Sequence, residues 1–329
     1  MLRVAIIGAG RIGKVHAQAV NAHPEAALVA ICDPIGTAAE DLAQIYGAKA
    51  YKEADDLFAD PDVDAVIIGS PTPLHAPQVL GATRAGKAVM VEKPVASDVD
   101  EARALEAELA TFEHPPVMVG FNRRFDPSFA HAKQLLDAGD LGEIEQVTIT
   151  SRDPEPPPAS YIAVSGGIFK DMTIHDFDVA RFFIGDVVEV SAFGQNVIPE
   201  LKETGDFDAA MVLLKGANGA VATIINNRRC VTGYDQRLEV YGSKGSAVAD
   251  NWRPTTVSVN TADASAAQQP YLNFFLERYA DAYRNELSAF IDAATKGTPV
   301  SPTVSDGVAA LELAQAAQES AQSGQTVRL

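Results

Sequence analysis

Residues 4–13 read Val4-Ala5-Ile6-Ile7-Gly8-Ala9-Gly10-Arg11-Ile12-Gly13, an apolar run followed by three spaced glycines. The short apolar run predicts a buried strand, and the amphipathic residues after it predict a helix. In such a strand–turn–helix unit, Gly8 permits the tight turn, Gly10 lets the backbone approach a pyrophosphate, and Gly13 lets helix and strand pack closely. The helix N-terminus attracts the anion. The motif therefore predicts a dinucleotide-binding turn.

An acidic residue at the end of the second predicted strand supports this interpretation. Asp33 lies 20 residues after Gly13, the spacing expected of an acid that binds the ribose hydroxyls. Its charge repels a 2′-phosphate, and residues 34–37 contain no arginine that could bind one. The sequence therefore favours NAD over NADP.

Strands and helices alternate through the first 120 residues. Predicted strands lie at 4–7, 27–32, 65–68, 88–91 and 117–119, and predicted helices at 12–23, 37–46, 74–85 and 98–111. Alternation of this kind needs right-handed crossovers, which place the strands side by side in one direction. The first part of the chain is therefore predicted to be an α/β domain with a doubly wound parallel sheet.

The pattern changes after residue 120. One more helix, at 127–138, precedes β-rich runs at 144–151, 187–196, 209–214, 220–225 and 237–241, and packed helices are predicted around 279–291 and 308–321. Several of the runs alternate apolar with polar residues, as in a sheet with one solvated or partner-covered face. We expect two domains, residues 1–120 and 121–329. The second is predicted to be α+β with a large, mostly antiparallel sheet.

Composition excludes several classes of protein. Lys and Arg number 26 against 44 Asp and Glu, a net charge of −18 that repels nucleic acid and anionic membrane surfaces. No apolar run approaches the roughly 18 residues of a membrane span, and the N-terminus lacks a signal-peptide layout. Two distant cysteines, Cys32 and Cys230, form no disulfide framework and fit a reducing compartment. We expect a cytoplasmic protein without nucleic-acid or membrane partners.

Two further segments follow predicted parallel strands, at the sheet edge where ligands bind. Ser70-Pro71-Thr72-Pro73-Leu74-His75 follows the strand at 65–68, and Glu92-Lys93-Pro94 follows the strand at 88–91. His75 either contacts the cofactor or is an ordinary residue at a helix start. Lys93 is either a solvated strand-end lysine or a donor that stabilises negative charge on a substrate oxygen.

Asp171 and His175 form a candidate pair for proton transfer. If a helix begins near Met172, their spacing brings the two side chains close together. A helix N-terminus disfavours the imidazolium, whereas Asp171 favours it, and a neutral His175 could accept a proton. A single pair of this kind is also common as a purely structural feature. No second His or Cys stands at ligand spacing, so we expect no metal.

The segment Asp153-Pro154-Glu155-Pro156-Pro157-Pro158 cannot be a helix or a central strand. Its residues leave two interpretations open. It is either a connector between elements or a stiff wall of an active-site cleft.

These motifs together resemble the glucose–fructose oxidoreductase/inositol dehydrogenase (Gfo/Idh/MocA) family over nearly the whole chain. The resemblance rests on residues 8–13, Glu92-Lys93-Pro94 and the Asp171…His175 pair. Within the family the chain is most similar to inositol 2-dehydrogenases, through Gly120-Phe121-Asn122-Arg123-Arg124-Phe125-Asp126, residues 148–154, residues 166–178 and Gly233-Tyr234-Asp235-Gln236-Arg237. It implies an N-terminal Rossmann domain and a C-terminal α+β domain with an open sheet.

The resemblance also implies roles for individual residues. Lys93, Asp171 and His175 match the family's catalytic triad. Arg123, Asp153 and Tyr234 fall where the subgroup places substrate contacts, together with the triad. The position of Asp153 carries Asn in some relatives, which could signal a different stereochemical preference. The cofactor-binding candidates are Gly8, Gly10, Arg11, Ile12, Gly13, Asp33, Ser70, Thr72, His75, Glu92 and Lys93.

The function implied is NAD-dependent oxidation of a ring hydroxyl of myo- or scyllo-inositol to inosose. One alternative is a pyranose 1-dehydrogenase that uses the same site on an aldose. A second alternative, from a different class, is an NAD-binding sensor without catalysis. The open sheet faces of the family usually pack against each other, so the resemblance implies a homo-oligomer, and we expect a tetramer.

Overall fold

The computed structural model describes all 329 residues, Met1–Leu329. Its strands are β1 (Leu2–Ile7), β2 (Ala26–Cys32), β3 (Lys49–Tyr51), β4 (Ala65–Ile68), β5 (Ala88–Glu92), β6 (Val117–Gly120), β7 (Ile144–Arg152), β8 (Val187–Gln195), β9 (Ala209–Gly216), β10 (Val221–Asn227), β11 (Asp235–Gly242), β12 (Gly245–Ala249), β13 (Ser258–Val259), β14 (Ala267–Gln268) and β15 (Val327–Arg328). No helix has the length and apolar content needed to cross a membrane.

The helices alternate with the strands only in the first part of the chain. They are α1 (Arg11–Ala22), α2 (Ala38–Tyr46), α3 (Ala54–Phe58), α4 (His75–Arg84), α5 (Val99–Leu109), α6 (Pro127–Asp137), α7 (Ala159–Ser165), α8 (Ile168–Asp171), α9 (Ile174–Ile184), α10 (Phe275–Arg278), α11 (Ala280–Lys296) and α12 (Val304–Ser323), with 3₁₀ turns at Thr72–Leu74, Asn122–Phe125 and Pro199–Thr204.

The first sheet is the predicted doubly wound sheet. Six parallel strands run in the order β3-β2-β1-β4-β5-β6. The order reverses between β1 and β4, and a crevice for a dinucleotide opens at such a point. The strands β1, β4 and β5 consist almost wholly of buried apolar residues, as expected of strands covered on both faces. The α/β prediction is confirmed.

The second sheet has seven strands in the order β12-β11-β7-β10-β9-β8-β15. One pair, β7 with β10, is parallel, and the other pairs are antiparallel. The α+β prediction with a mostly antiparallel sheet is confirmed. The two edge strands, β12 and β15, were not predicted. The two residues of β15 are too few to carry a periodic signal.

The two faces of this sheet differ in what covers them. Alternate residues of β8 to β12 join one core cluster with residues of α6, α9 and α12, such as Phe129, Phe177 and Leu313. The residues between them point the other way and remain exposed, and many are apolar. Phe193, Met211, Leu213, Tyr241 and Val248 are 48–70% exposed. We call this set the open face.

The chain folds into two compact units, and their boundaries differ in part from the expected ones. Unit 1 comprises Met1–Phe125 and Ala282–Leu311, and unit 2 comprises Asp126–Asp281 and Glu312–Leu329. The expected second domain of 121–329 is therefore interrupted. The physical reason is the apolar face of α11, whose residues Leu287, Phe290 and Ile291 lie in the same core cluster as β1 and β4.

Candidate functional site

In the glycine turn between β1 and α1, the backbone closely approaches both the residue after β4 and the start of α1. Gly8 has φ of +99°, and a Cβ there would lie 2.4 Å from the carbonyl oxygen of Gly69, at the end of β4. A Cβ on Gly13 would lie 1.8 Å from the carbonyl oxygen of Gly8. Any larger side chain at either position would separate the turn from β4 or from α1. A Cβ on Gly10, in contrast, meets nothing within 4 Å.

The start of α1 fits an anionic ligand. Gly10 is the N-cap, no side chain caps the helix, and the first turn holds no acidic residue. The N-terminus of a 12-residue helix attracts anions, and the space beside Gly10 is open. The neighbouring side chains are the exposed Arg11 and the partly buried Ile12. These features fit the diphosphate of a dinucleotide.

Asp33 follows β2 and lies directly against this turn. Its Oδ2 accepts a hydrogen bond of 2.8 Å from the backbone N–H of Ala9, and its Oδ1 accepts one of 2.9 Å from that of Ile35. A carboxylate has about four acceptor sites, so each oxygen can accept a further bond. Asp33 is thus placed where its charge and its spare acceptors act next to the phosphate-binding turn.

The segment after β4 is tied to the start of α4. Ser70 donates from its hydroxyl to Oε1 of Gln78 at 2.6 Å, and the 3₁₀ turn at Thr72–Leu74 leads into the helix. His75 is 1% exposed, and both of its ring nitrogens lie against backbone carbonyl oxygens, of Ser70 at 2.8 Å and Pro94 at 2.7 Å. His75 therefore links the segments that follow β4 and β5, and its contact with a dinucleotide stays a prediction.

Glu92 and Lys93 stand where β5 ends. The Glu92 side chain is 12% exposed, and its Oε1 lies 2.7 Å from Nε2 of His16 in the middle of α1. Its Oε2 packs against Gly120 at the end of β6. Glu92 therefore links the end of β5 to α1 and β6, and its contact with the cofactor stays a prediction. Lys93 is partly buried at the carboxyl edge of the sheet.

Arg123 lies in the 3₁₀ turn that follows β6, the strand next to β5, and it is 4% exposed. The next residue, Arg124, forms an ion pair of 3.0 Å with Asp306. Burial opposes ionisation of Asp306, but this guanidinium and the N–H of Thr303 outweigh it and hold the carboxyl pKa below its ordinary value. The turn that carries Arg123 is therefore anchored by charge. Lys93 and Arg123 follow neighbouring strand ends.

A second group of candidates gathers at one end of the seven-stranded sheet, within unit 2. Asp153 follows β7, and its N–H donates to the carbonyl of Asn227, the last residue of β10, at 2.9 Å. Tyr234 precedes β11, is 5% exposed and packs edge to face with Tyr279 at 6.0 Å between ring centroids. The proline-rich segment starting at Asp153 leads from β7 to α7, and Pro154 accepts a hydrogen bond from the N–H of Cys230.

The helix that the sequence placed near Met172 begins two residues later, at Ile174. Asp171 ends α8 and His175 lies in the first turn of α9, with a break between them. The cause is Thr173, whose N–H donates to the Ile168 carbonyl five residues back and whose hydroxyl lies 2.6 Å from Oδ1 of Asn226 in β10. His175 keeps the predicted place near a helix N-terminus, while Asp171 is oriented by other groups.

Two residues that the sequence analysis missed hold the Asp171 carboxylate. The hydroxyl of Tyr161 donates to Oδ1 at 2.9 Å, and Nη1 of Arg228 donates to Oδ2 at 3.1 Å. Arg228 is 1% exposed and also lies 3.6 Å from Asp206. Partial burial first, and then the Asp171 carboxylate, raise the pKa of Tyr161 above its ordinary value. Arg228 directly follows β10, and that position at a sheet end was the available signal.

The structure thus collects the candidates into two sets, one in each unit. The set of unit 1 lines the carboxyl edge of the parallel sheet, and the set of unit 2 lies at one end of the mixed sheet. No group of three or more His, Cys, Asp or Glu side chains is arranged to hold a metal ion. Unit 1 carries an ammonium group, Lys93, on the same sheet edge as the nucleotide-binding turn, and unit 2 carries an imidazole, His175, and a carboxylate, Asp171.

Comparison with known proteins agrees with this architecture. Residues 2–121 match an oxidoreductase family with an NAD-binding Rossmann fold, and residues 129–248 match the GFO/IDH/MocA C-terminal domain. An inositol 2-dehydrogenase of Rhizobium meliloti is 46% identical over 321 residues, which is 97% of this chain and 96% of that protein.

Solved structures match over the whole chain. A myo-inositol dehydrogenase from Corynebacterium glutamicum has a TM-score of 0.96 and 48% identity, with 100% of this chain and 99% of the other covered. A scyllo-inositol dehydrogenase from Lactobacillus casei, with bound NAD(H) and scyllo-inositol, has a TM-score of 0.88 and 30% identity, with 100% and 99% covered. The chain therefore belongs to the GFO/IDH/MocA family of NAD-binding oxidoreductases.

Proposed function

We propose that this protein is an NAD-dependent inositol 2-dehydrogenase, which oxidises a ring hydroxyl of myo- or scyllo-inositol to inosose. The observation that carries the proposal is the full-length likeness, at 48% identity, to a myo-inositol dehydrogenase, in a chain that contains Lys93, Asp171 and His175. The aldose and sensor alternatives receive no support from the relatives named above, which are all inositol dehydrogenases.

The proposed chemistry divides between three side chains. Bound NAD supplies the hydride acceptor. His175 accepts the hydroxyl proton, because an alcohol must lose that proton as its carbon loses hydride. Asp171 orients and supports the imidazole, and the Tyr161 and Arg228 contacts fix the carboxylate for this purpose. Lys93 donates to the substrate oxygen and stabilises the negative charge that develops on it.

Recognition of a polyol needs a polar lining. A ring of hydroxyls is bound selectively when each one finds a partner, because a buried polar group without one costs about 1–3 kcal/mol. We assign this task to Arg123, Asp153 and Tyr234, in addition to the three reacting side chains. Asp153 accepts hydrogen bonds only, whereas an Asn at this position also donates them, so this residue is our candidate for isomer preference.

The proposal is tested by the growth of reduced-nicotinamide absorbance with NAD and a panel of inositol stereoisomers and D- and L-aldoses. We expect turnover with myo- or scyllo-inositol at the highest kcat/KM. If an aldose gives a higher kcat/KM than any inositol, the proposal is wrong and the protein is a pyranose 1-dehydrogenase. If the protein binds NAD but turns over no polyol or aldose, it is a sensor.

Cofactor preference gives the first mutational prediction. Changing Asp33 to Ser and Ile35 to Arg removes the charge that repels a 2′-phosphate and adds one that binds it. We expect the ratio of kcat/KM for NADP to that for NAD to rise in the double variant. The single variant Ile35→Arg is the matched control, and a smaller change is expected there. Equal kcat/KM for NADP and NAD in the wild-type enzyme would show that Asp33 does not set the cofactor preference.

A second prediction concerns assembly. We infer that a second copy of the chain covers the open face, because five large apolar side chains exposed on one sheet are a liability in a monomer. Replacing Met211 and Leu213 together by Lys should lower the molar mass measured by light scattering from that of an oligomer, expected to be a tetramer, towards that of a single chain. The matched control, Val231→Lys on an exposed loop, should not. A monomeric wild type at micromolar concentration would contradict the inference.

A further inference from the structure

The residues before and after Lys93 each contact a buried histidine. On one side, Oε1 of Glu92 lies 2.7 Å from Nε2 of His16. On the other side, the carbonyl oxygen of Pro94 lies 2.7 Å from Nδ1 of His75. The two histidines are 0% and 1% exposed and belong to the same compact unit as Lys93. Both sequence neighbours of Lys93 are therefore anchored by side chains that are buried in the protein.

The two histidines come from different elements. His16 lies in α1, where its ring and the Tyr283 ring form a T-shaped contact with 5.8 Å between centroids. His75 begins α4, and its Nε2 lies 2.8 Å from the carbonyl oxygen of Ser70. A carbonyl oxygen only accepts hydrogen bonds, so a ring nitrogen that bonds to one is the donor. His75 thus joins the segments that follow β4 and β5.

We propose that His16 and His75 are positioning residues for Lys93. The inference rests on the role proposed for Lys93 above. A lysine ammonium sits on a flexible four-carbon stem, so its placement depends on how firmly its backbone is held. Fixing Glu92 through its side chain and Pro94 through its carbonyl holds that backbone from both sides. This role of His75 stands beside its predicted contact with the cofactor, and His16 is assigned no contact with substrate or cofactor.

The proposal is tested by exchanging the histidines for amides of two lengths. The amide nitrogen of asparagine lies about where Nδ1 of histidine lies, and that of glutamine lies about where Nε2 lies. His75→Asn therefore keeps the donor to Pro94, and His75→Gln loses it. At His16 the order is reversed, since His16→Gln keeps the donor to Glu92 and His16→Asn loses it.

We expect kcat to fall by about 10- to 100-fold in His75→Gln and His16→Asn, since misplacing a catalytic group by about an ångström costs up to about 100-fold. His75→Asn and His16→Gln should keep kcat much closer to that of the wild type. KM for NAD should change little in the two His16 variants. His131→Gln, on the exposed side of α6, is the control for loss of a histidine and should behave as the wild type.

A second readout does not depend on turnover. In protein with ¹³C-methylated lysines, the NMR signal of Lys93, assigned by its absence from Lys93→Arg, should shift or broaden in His75→Gln and His16→Asn. It should stay in place in His75→Asn and His16→Gln. A wild type that oxidises no inositol would overturn the proposed function, while this signal still decides whether the histidines position Lys93.

The decisive result is that asparagine preserves kcat at position 75, whereas glutamine preserves it at position 16. A merely structural role predicts that Asn and Gln lower kcat at each site in proportion to the loss of thermal stability, with the Lys93 signal unmoved. That result, or unchanged kcat in His75→Gln and His16→Asn, would overturn the proposal.

Discussion

Replacing His175 with alanine is expected to lower kcat by about 10²–10⁴-fold, the usual contribution of a general base. The hydroxyl proton then has no acceptor at the moment the hydride leaves. NAD binding should stay nearly unchanged, because the glycine turn and Asp33 belong to the other compact unit. Steady-state kinetics and a direct measurement of NAD binding by calorimetry separate the two effects.

Variants of Lys93 and Asp171 test how the three side chains divide the catalysis. Raising the pH should partly rescue His175→Ala, because hydroxide can take the proton. Lys93→Ala should also lose rate, through lost charge stabilisation, and small amines should restore part of it. Asp171→Asn should lower kcat more than it weakens substrate binding. The losses should not add, since the three residues act on one proton transfer. Near-normal kcat in His175→Ala at neutral pH would leave Lys93 as the proton acceptor.

Replacing Asp126 with alanine is expected to lower the free energy of unfolding by about 3–5 kcal/mol, the cost of breaking a buried ion pair. The Asp126 and Arg278 side chains are 1% and 0% exposed and pair directly. Asp126 also caps α6 by accepting from the N–H groups of Ser128 and Phe129, at 3.1 and 3.2 Å. Alanine removes the cap and leaves a guanidinium buried without its counter-ion.

Urea denaturation followed by circular dichroism measures this loss. Asp186→Ala is the matched control, because its carboxylate is 83% exposed and also pairs with an arginine, Arg181, at 2.9 Å. Exposed pairs contribute about 0–1 kcal/mol, so this variant should lie close to the wild type. The double change of Asp126 to Ala and Arg278 to Met should recover part of the loss, because it removes the unpaired charge. Equal losses in Asp126→Ala and Asp186→Ala would contradict the argument.

The parts of the fold that local sequence determines were predictable. The glycine turn, the apolar strand runs and the change of pattern after residue 120 each act over a few residues, and the sheets agree with them. The break between α8 and α9 was not predictable, because it depends on Thr173 meeting Asn226, which is 53 residues away. Contacts of this separation leave no trace in periodicity.

The same distinction applies to the candidate site. Motif spacing placed Gly8, Asp33 and Lys93 at one sheet edge, because parallel strands end on the same side. The residues that hold the site were missed, since each is distant in sequence from the group it holds. Arg228 lies 57 residues from Asp171, and His16 lies 76 residues from Glu92. A buried histidine or arginine has no sequence pattern of its own.

The discontinuous make-up of unit 1 bears on the order in which the chain can fold as it is synthesised. Residues 1–125 leave the ribosome first, but Leu287, Phe290 and Ile291, which share their core cluster, follow more than 160 residues later. Domains commonly fold in sequence from the N-terminus. Here the nucleotide-binding unit remains incomplete, with apolar surface exposed, until α11 has emerged, so the growing chain can bind chaperones or aggregate during that interval.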